Sequence, residues 1–335
     1  MNRRDFTGKL RVHFKTNPQA PGVFQMTRER YEAAARRHAD VASRVDWSIG
    51  SGDENFNSVI GEIDVFVGWQ FPLENLAQRA PKLKWIHIWG AGIEHLLPLD
   101  WLPRGVALIN NSGVHAPKAG EFMVMAILML NNRIPTLVTS QHQAHWNEIF
   151  STCVADKTLV IIGVGQMGGT AARRAKELGM RVVGVRRSGH PRRYVDEMYV
   201  PGELDKVLPQ ADFVLISIPL TRETENLIGR RELDLMKPQA GLINLSRAQV
   251  VDYDVLAEKL HKGELSGAVL DVFDPEPLPS ESPLWKTPNL IITPHVASDD
   301  WDQYMPLTLD LFFNNIRRFF ADRPLLNRVR PRLEY

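Results

Sequence analysis

The run Leu159-Val160-Ile161-Ile162-Gly163-Val164-Gly165-Gln166-Met167-Gly168 sets the architecture of this chain. Four consecutive apolar residues suit a strand buried on both faces, as the centre of a parallel sheet requires. They lead into a glycine hexad, and the chain continues through Ala171, Ala172, Ala175 and Leu178 to Gly179, a helical pattern stopped by glycine. Strand, glycine turn and helix in that order give the hexad its meaning. Gly163 would permit the tight turn, Gly165 would let the backbone approach a pyrophosphate, and Gly168 would let helix and strand pack closely. The helix start supplies unpaired N–H groups and a partial positive charge for phosphate. This is a dinucleotide-binding signature.

Outward from that run the chain alternates short apolar runs with helical stretches, the pattern of an α/β fold with parallel sheets. Before the hexad, strands are expected at Leu10–Lys15, Val45–Ile49, Ile63–Val67, Lys84–Ile88 and Val106–Asn110, with helices at Arg28–Ala39, Leu73–Arg79 and Ala119–Asn131. The polar, aromatic stretch Thr139–Phe150 breaks the rhythm and reads as an arm or linker. From Lys157 the alternation restarts, with strands expected at Thr158–Gly163, Arg181–Val185, Phe213–Ser217, Gly241–Asn244, Gly267–Leu270 and Leu290–Ile292, and a last amphipathic helix at Trp301–Phe320. The restart implies a second domain.

Composition excludes several classes. The 335 residues carry 40 Lys+Arg against 39 Asp+Glu, a net charge of +1, which is not that of a globally basic nucleic-acid binder. A single cysteine, Cys153, excludes an internal disulfide and a multi-cysteine zinc site, and fits a reducing, cytoplasmic setting. Arg3-Arg4-Asp5-Phe6 resembles a twin-arginine export signal, but Thr7–Pro21 holds Lys9, Arg11, His13, Lys15 and two prolines where an apolar stretch would be needed. The longest apolar segment, Phe122–Leu130, is about half of a membrane span, so no membrane partner is expected. His142 and His145 could share a helix face, but no further ligand follows at metal-binding spacing, so no metal is expected.

The strand after the glycine loop ends in Val185-Arg186-Arg187-Ser188. A chain that binds NAD usually places Asp or Glu there for the ribose hydroxyls. An arginine can instead pair bidentately with a 2′-phosphate, which favours NADP(H) and leaves NAD(H) possible.

Three further segments each leave a polar residue just past a strand: Ser246-Arg247 after Asn244, Asp271 through Glu276-Pro277 after Leu270, and Thr293-Pro294-His295 after Ile292. In open α/β sheets ligands bind at that edge. With Leu83-Lys84-Trp85-Ile86, Ala91-Gly92, the glycine loop and Pro219-Leu220-Thr221, these residues make the chain from Ile63 to Arg328 resemble the D-2-hydroxyacid dehydrogenase family, particularly its glyoxylate/hydroxypyruvate reductase-like members.

The resemblance implies a flavodoxin-like substrate domain (1–118), a dinucleotide-binding domain (119–298) and a C-terminal helix (299–335) returning to the first, with substrate held in the cleft between the two. It implies a homodimer through the 119–150 region. It makes Arg247, Glu276 and His295 the catalytic set for reducing a small 2-keto acid to the D-2-hydroxy acid. Arg247 would bind the carboxylate and polarise the carbonyl, His295 would supply the proton, and Glu276 would orient the imidazole and stabilise its charged form. Backbone N–H groups of Trp89-Gly90-Ala91-Gly92 would add to carboxylate binding, with Trp69 and Trp89 walling a small pocket. Toward the cofactor it implies Gly163, Gly165, Gln166, Met167, Gly168, Arg186, Arg187, Ser188, Ile218, Pro219, Thr224, Leu245, Ser246 and Ala297, with Asp271 accepting from the nicotinamide amide. The family's pattern is left at Ala248-Gln249 after the arginine, at Gly120-Glu121 in the interdomain helix and at Val296-Ala297 after the histidine. Those departures bear on substrate identity more than on reaction type. Two rival readings use the same fold. One is a non-catalytic dinucleotide sensor or corepressor; the other is a dehydrogenase of another small anion such as phosphite. A formate enzyme would carry Gln at the Glu276 position.

Overall fold

The computed structural model describes residues 8–333, so the Arg3-Arg4 pair lies outside the described residues. The chain forms two compact units. One runs to His115 and resumes at Asp299; the other is Ala116–Ser298. The first cut falls three residues before the 118/119 boundary expected from sequence, because the helix starts earlier, at Ala116.

The first unit holds a five-stranded sheet of β1 (Leu10–Thr16), β2 (Val45–Ser51), β3 (Val65–Gly68), β4 (Trp85–Ile88) and β5 (Ala107–Ile109) in the order β2-β1-β3-β4-β5. Every pairing is parallel. β3 and β4 are buried along their whole length, as strands covered on both faces must be. The helix Tyr304–Phe320 explains why the unit is discontinuous in sequence. Its Leu309, Phe312, Phe313 and Ile316 are fully buried among Leu10, Val12 and Phe14 of β1, with Phe312 edge-on to Phe14 at 5.3 Å. The strand order reverses between β1 and β3, so the loops after these strands and after β4 share the edge where α/β sheets bind ligands.

The second unit holds seven strands: β6 (Thr158–Ile162), β7 (Arg181–Val185), β8 (Glu197–Tyr199), β9 (Phe213–Ile216), β10 (Gly241–Asn244), β11 (Gly267–Leu270) and β12 (Leu290–Ile292). Their order is β12-β11-β10-β9-β6-β7-β8, again all parallel. The reversal falls between β6 and β9, which places the glycine loop at the switch point.

Local departures have physical causes. β8 is a three-residue, half-buried edge strand with no apolar run to announce it. The expected arm Thr139–Phe150 begins inside a helix, Ile134–His142, that starts with Pro135 in its first turn, where a proline costs no hydrogen bond. That helix ends at His142, so His145 lies beyond it and the two histidines do not share a helix face. The last helix starts at Tyr304 rather than Trp301. No single helix among the described residues is long and apolar enough to cross a membrane.

Candidate active site

The glycine loop has the geometry of a dinucleotide cradle. Gly163 has φ +101°, and a Cβ there would lie 2.5 Å from the Ser217 carbonyl oxygen and from Ile218 Cγ2. A Cβ on Gly168 would lie 2.1 Å from the Gly163 carbonyl oxygen, so any side chain would push the helix off β6. Around Gly165, by contrast, nothing lies within 4 Å of a would-be Cβ. Open space above a glycine, next to the first turn of the helix Gln166–Glu177, fits a pyrophosphate on the free N–H groups of that turn. The Ser217 hydroxyl donates to the Gly163 carbonyl at 2.8 Å and locks the turn from β9.

Arg186 follows β7 directly and is half-exposed, with Arg187 and Ser188 exposed beyond it. Their turn is closed by Gly189 N–H on the Arg186 carbonyl at 3.0 Å. Arg192 brings its guanidinium over the first turn of the helix, 3.6 Å from the place a Cβ on Gly169 would take. The strand end that carries an acid in an NAD-binding chain is therefore basic here.

Several of the other residues expected at the cofactor hold the loops in shape. The Thr224 hydroxyl donates to the Pro219 carbonyl at 2.8 Å and accepts from Thr221 N–H at 2.8 Å. Leu245 and Ser246 are buried, and Ser246 donates from both its N–H and its hydroxyl to Asn244 Oδ1. Met167 packs against the apolar core beneath the helix.

Arg247, Glu276 and His295 follow β10, β11 and β12 and so stand at the carboxyl edge of adjacent parallel strands. His295 Nδ1 lies 2.7 Å from Glu276 Oε2. Glu276 Oε1 accepts from Phe273 N–H at 2.9 Å, so the carboxylate is braced by its own loop. Both side chains are more than a third exposed, at 41% for His295 and 37% for Glu276, which leaves the imidazole open to a substrate. His295 has φ +54°, a left-handed conformation that a histidine adopts at some cost and that the loop must enforce. Arg247 is half-buried and donates from Nη1 to the Ser246 carbonyl at 2.7 Å. Below it, Asn244 Nδ2 donates to the Arg247 carbonyl at 3.0 Å and to the Tyr253 hydroxyl at 2.9 Å, and that hydroxyl donates to the Val272 carbonyl at 2.9 Å. The chains leaving β10 and β11 are thereby tied together.

Asp271, expected to accept from the nicotinamide amide, binds its own chain. It is 2% exposed, and its carboxylate accepts from the Thr293 hydroxyl at 2.6 Å and from the N–H groups of Val296 and Ala297 at 3.0 and 3.1 Å. These bonds hold the loop that presents His295. Burial pushes its carboxyl above the usual range, against the pull of those donors.

In the first unit, the loop after β4 presents unpaired backbone amides. The N–H groups of Gly90, Ala91 and Gly92 donate to no acceptor among the described residues. Successive unpaired amides of this kind form a concave nest for an anion. Trp69 lies on Gly90, with its ring 2.3 Å from where a Cβ would stand, and packs tilted by 32° against His95 with ring centroids 4.0 Å apart. The Trp89 indole, expected to wall the substrate pocket, is 6% exposed and lies in the core beside Phe14 at 6.3 Å. Sequence reading also missed Asn110, Asn111 and Tyr304, which contact this loop from beneath, since no local pattern marks a tertiary contact. No group of three or more His, Cys, Asp or Glu able to hold a metal occurs among the described residues.

A parallel seven-stranded sheet with a glycine cradle at its switch point and an Arg, Glu and His at its carboxyl edge defines a dinucleotide-dependent dehydrogenase. Residues 124–297 match the model of the D-isomer specific 2-hydroxyacid dehydrogenase NAD-binding domain, and the chain belongs to that family of oxidoreductases. A glyoxylate reductase of Korarchaeum cryptofilum is 34% identical over 230 residues, 66% of this chain and 68% of the relative. A glyoxylate/hydroxypyruvate reductase B of Pectobacterium carotovorum is 34% identical over 231 residues, 67% of this chain and 72% of the relative. Among solved structures, an NADPH-dependent glyoxylate/hydroxypyruvate reductase of Sinorhizobium meliloti, in complex with NADP and sulfate, superposes with a TM-score of 0.80 at 27% identity, covering 98% of this chain and all of the other.

Proposed function

We propose that this protein reduces a small 2-keto acid of the glyoxylate or hydroxypyruvate type to the D-2-hydroxy acid, with NADPH preferred over NADH. The observation that carries the reading is the 2.7 Å bond from His295 Nδ1 to Glu276. With Nδ1–H given to the carboxylate, Nε2 is the free position, and a protonated imidazole can deliver its Nε2 proton to an oxygen. The nicotinamide, when bound, supplies the hydride that becomes the new C–H bond at the keto carbon. His295 gives the proton that converts the carbonyl oxygen to a hydroxyl, and Glu276 offsets the imidazolium charge while it exists. Arg247 holds and polarises the reacting carbonyl with its planar fork. The amides of Gly90, Ala91 and Gly92 take the carboxylate, and Trp69 beside them favours a short substrate. The Gly163–Gly168 loop holds the pyrophosphate, and Arg186, Arg187 and Ser188 hold the 2′-phosphate, with Arg192 as a further cation nearby.

The same reading makes the protein a homodimer through the 119–150 region. Met125 is 43% exposed, Trp146 87% and Phe150 91%, an apolar load that a second copy would cover. Loss of NADPH absorbance with a panel of 2-keto acids tests the function. Turnover of glyoxylate or hydroxypyruvate supports it. Cofactor binding with no oxidation by any keto acid identifies a sensor, and reduction of NADP by phosphite identifies the other branch.

A further inference from the structure

We propose that Asn111, with Asn110 and Tyr304, is a positioning set that aims the amides of the Trp89–Gly92 loop at the substrate carboxylate; this rests on the reading of that loop as the carboxylate site. In a trans peptide the C=O of one residue and the N–H of the next point in opposite directions. Three successive planes are pinned here by their oxygens. The Trp89 carbonyl accepts from Asn111 Nδ2 and from the Tyr304 hydroxyl. The Gly90 carbonyl accepts from Asn111 N–H at 2.9 Å. The Ala91 carbonyl accepts from Asn110 Nδ2 at 2.9 Å. Fixing these three oxygens on one side turns the N–H groups of Gly90, Ala91 and Gly92 to the other, which is why they are free.

Asn111 is itself fully committed. It is 0% exposed; its second Nδ2 hydrogen goes to Thr308 Oγ1 at 2.8 Å, and its Oδ1 faces His87 Nε2 at 2.9 Å. An amide oxygen only accepts, so the buried, neutral His87 carries its proton on Nε2. Tyr304 and Thr308 belong to the C-terminal helix, and the Thr308 hydroxyl donates to the Tyr304 carbonyl at 2.8 Å. That helix therefore reaches the nest through side chains, beyond its part in the core. These side chains act on the amides through the loop backbone.

Tyr304→Phe removes one hydroxyl, Asn110→Ala one donor, and Asn111→Asp sets an acceptor in place of a donor against the Trp89 carbonyl. For each variant, steady-state kinetics with the keto acid are compared with calorimetric binding of oxalate and of NADPH. The expected result is a KM raised about threefold or more in Tyr304→Phe and Asn110→Ala and about tenfold in Asn111→Asp, with kcat within about threefold. Oxalate affinity should fall in step, and NADPH affinity should stay unchanged. If Asn111→Asp does not fold, the two milder variants decide. KM and oxalate affinity within twofold of wild type in both would overturn the positioning role. A wild-type enzyme that neither reduces a keto acid nor binds oxalate would overturn the carboxylate site itself, and the inference with it.

Discussion

His295 Nδ1 sits 2.7 Å from Glu276 Oε2, while the other oxygen of that carboxylate is held by Phe273 N–H. The imidazole is thus fixed at one nitrogen by an anion that is itself fixed by backbone. Glu276→Gln keeps the shape and removes the charge, so turnover should fall about tenfold to a hundredfold while KM for the keto acid changes much less. A variant with wild-type kcat would reduce Glu276 to a structural residue.

Cofactor choice is predicted from the end of β7. Arg186→Ala should lower kcat/KM with NADPH about tenfold or more, the worth of a charge-assisted hydrogen bond, and leave kcat/KM with NADH within about twofold. Equal losses with both cofactors would show that Arg186 supports the fold and not the 2′-phosphate.

The glycine cradle makes a prediction about stability as well as binding. Gly168→Ala sets a methyl 2.1 Å from the Gly163 carbonyl oxygen, and backbone cannot yield as a flexible side chain would. We expect a loss of about 1–3 kcal/mol in thermal or denaturant unfolding, together with weakened NADPH binding. Retention of both would mean that helix and strand can separate without consequence.

His87 gives a pH dependence whose sign is fixed. Burial brings its pKa down from 6.5 to about 4 in the folded chain. The unfolded state therefore binds more protons between those values, and stability present above pH 6.5 is lost as pH falls toward about 4. The contribution at neutral pH is up to about 3 kcal/mol. His87→Gln, which can still donate to Asn111, should flatten the melting temperature over that interval relative to wild type. An identical acid slope in the two proteins would contradict the assignment.

Much of this was legible in the residues because the signals were local. The strands Arg181–Val185, Gly241–Asn244, Gly267–Leu270 and Leu290–Ile292 fall where their apolar runs end, and the glycine loop lies on the turn its spacing requires. What was not legible depends on partners distant in sequence. Nothing in the order of residues says that Trp89 joins the core while Trp69 stays 38% exposed, since both are indoles beside a glycine-containing loop. The choice is made by Phe14 and the C-terminal helix. Asp271 could serve a ligand or its own chain equally well until the Thr293–Ala297 loop is seen to wrap around it. The bond from Asn111 to Thr308 spans 197 residues, beyond the reach of any motif.

His295, held by Glu276, is the proposed proton donor of a 2-keto acid reductase. The most direct test is kcat for glyoxylate and hydroxypyruvate with NADPH, measured on wild type and His295→Ala side by side with NADPH affinity. Wild type should turn over measurably, and the variant should lose about a hundredfold or more with NADPH binding unchanged. Undiminished kcat in His295→Ala would contradict the role of His295 as proton donor.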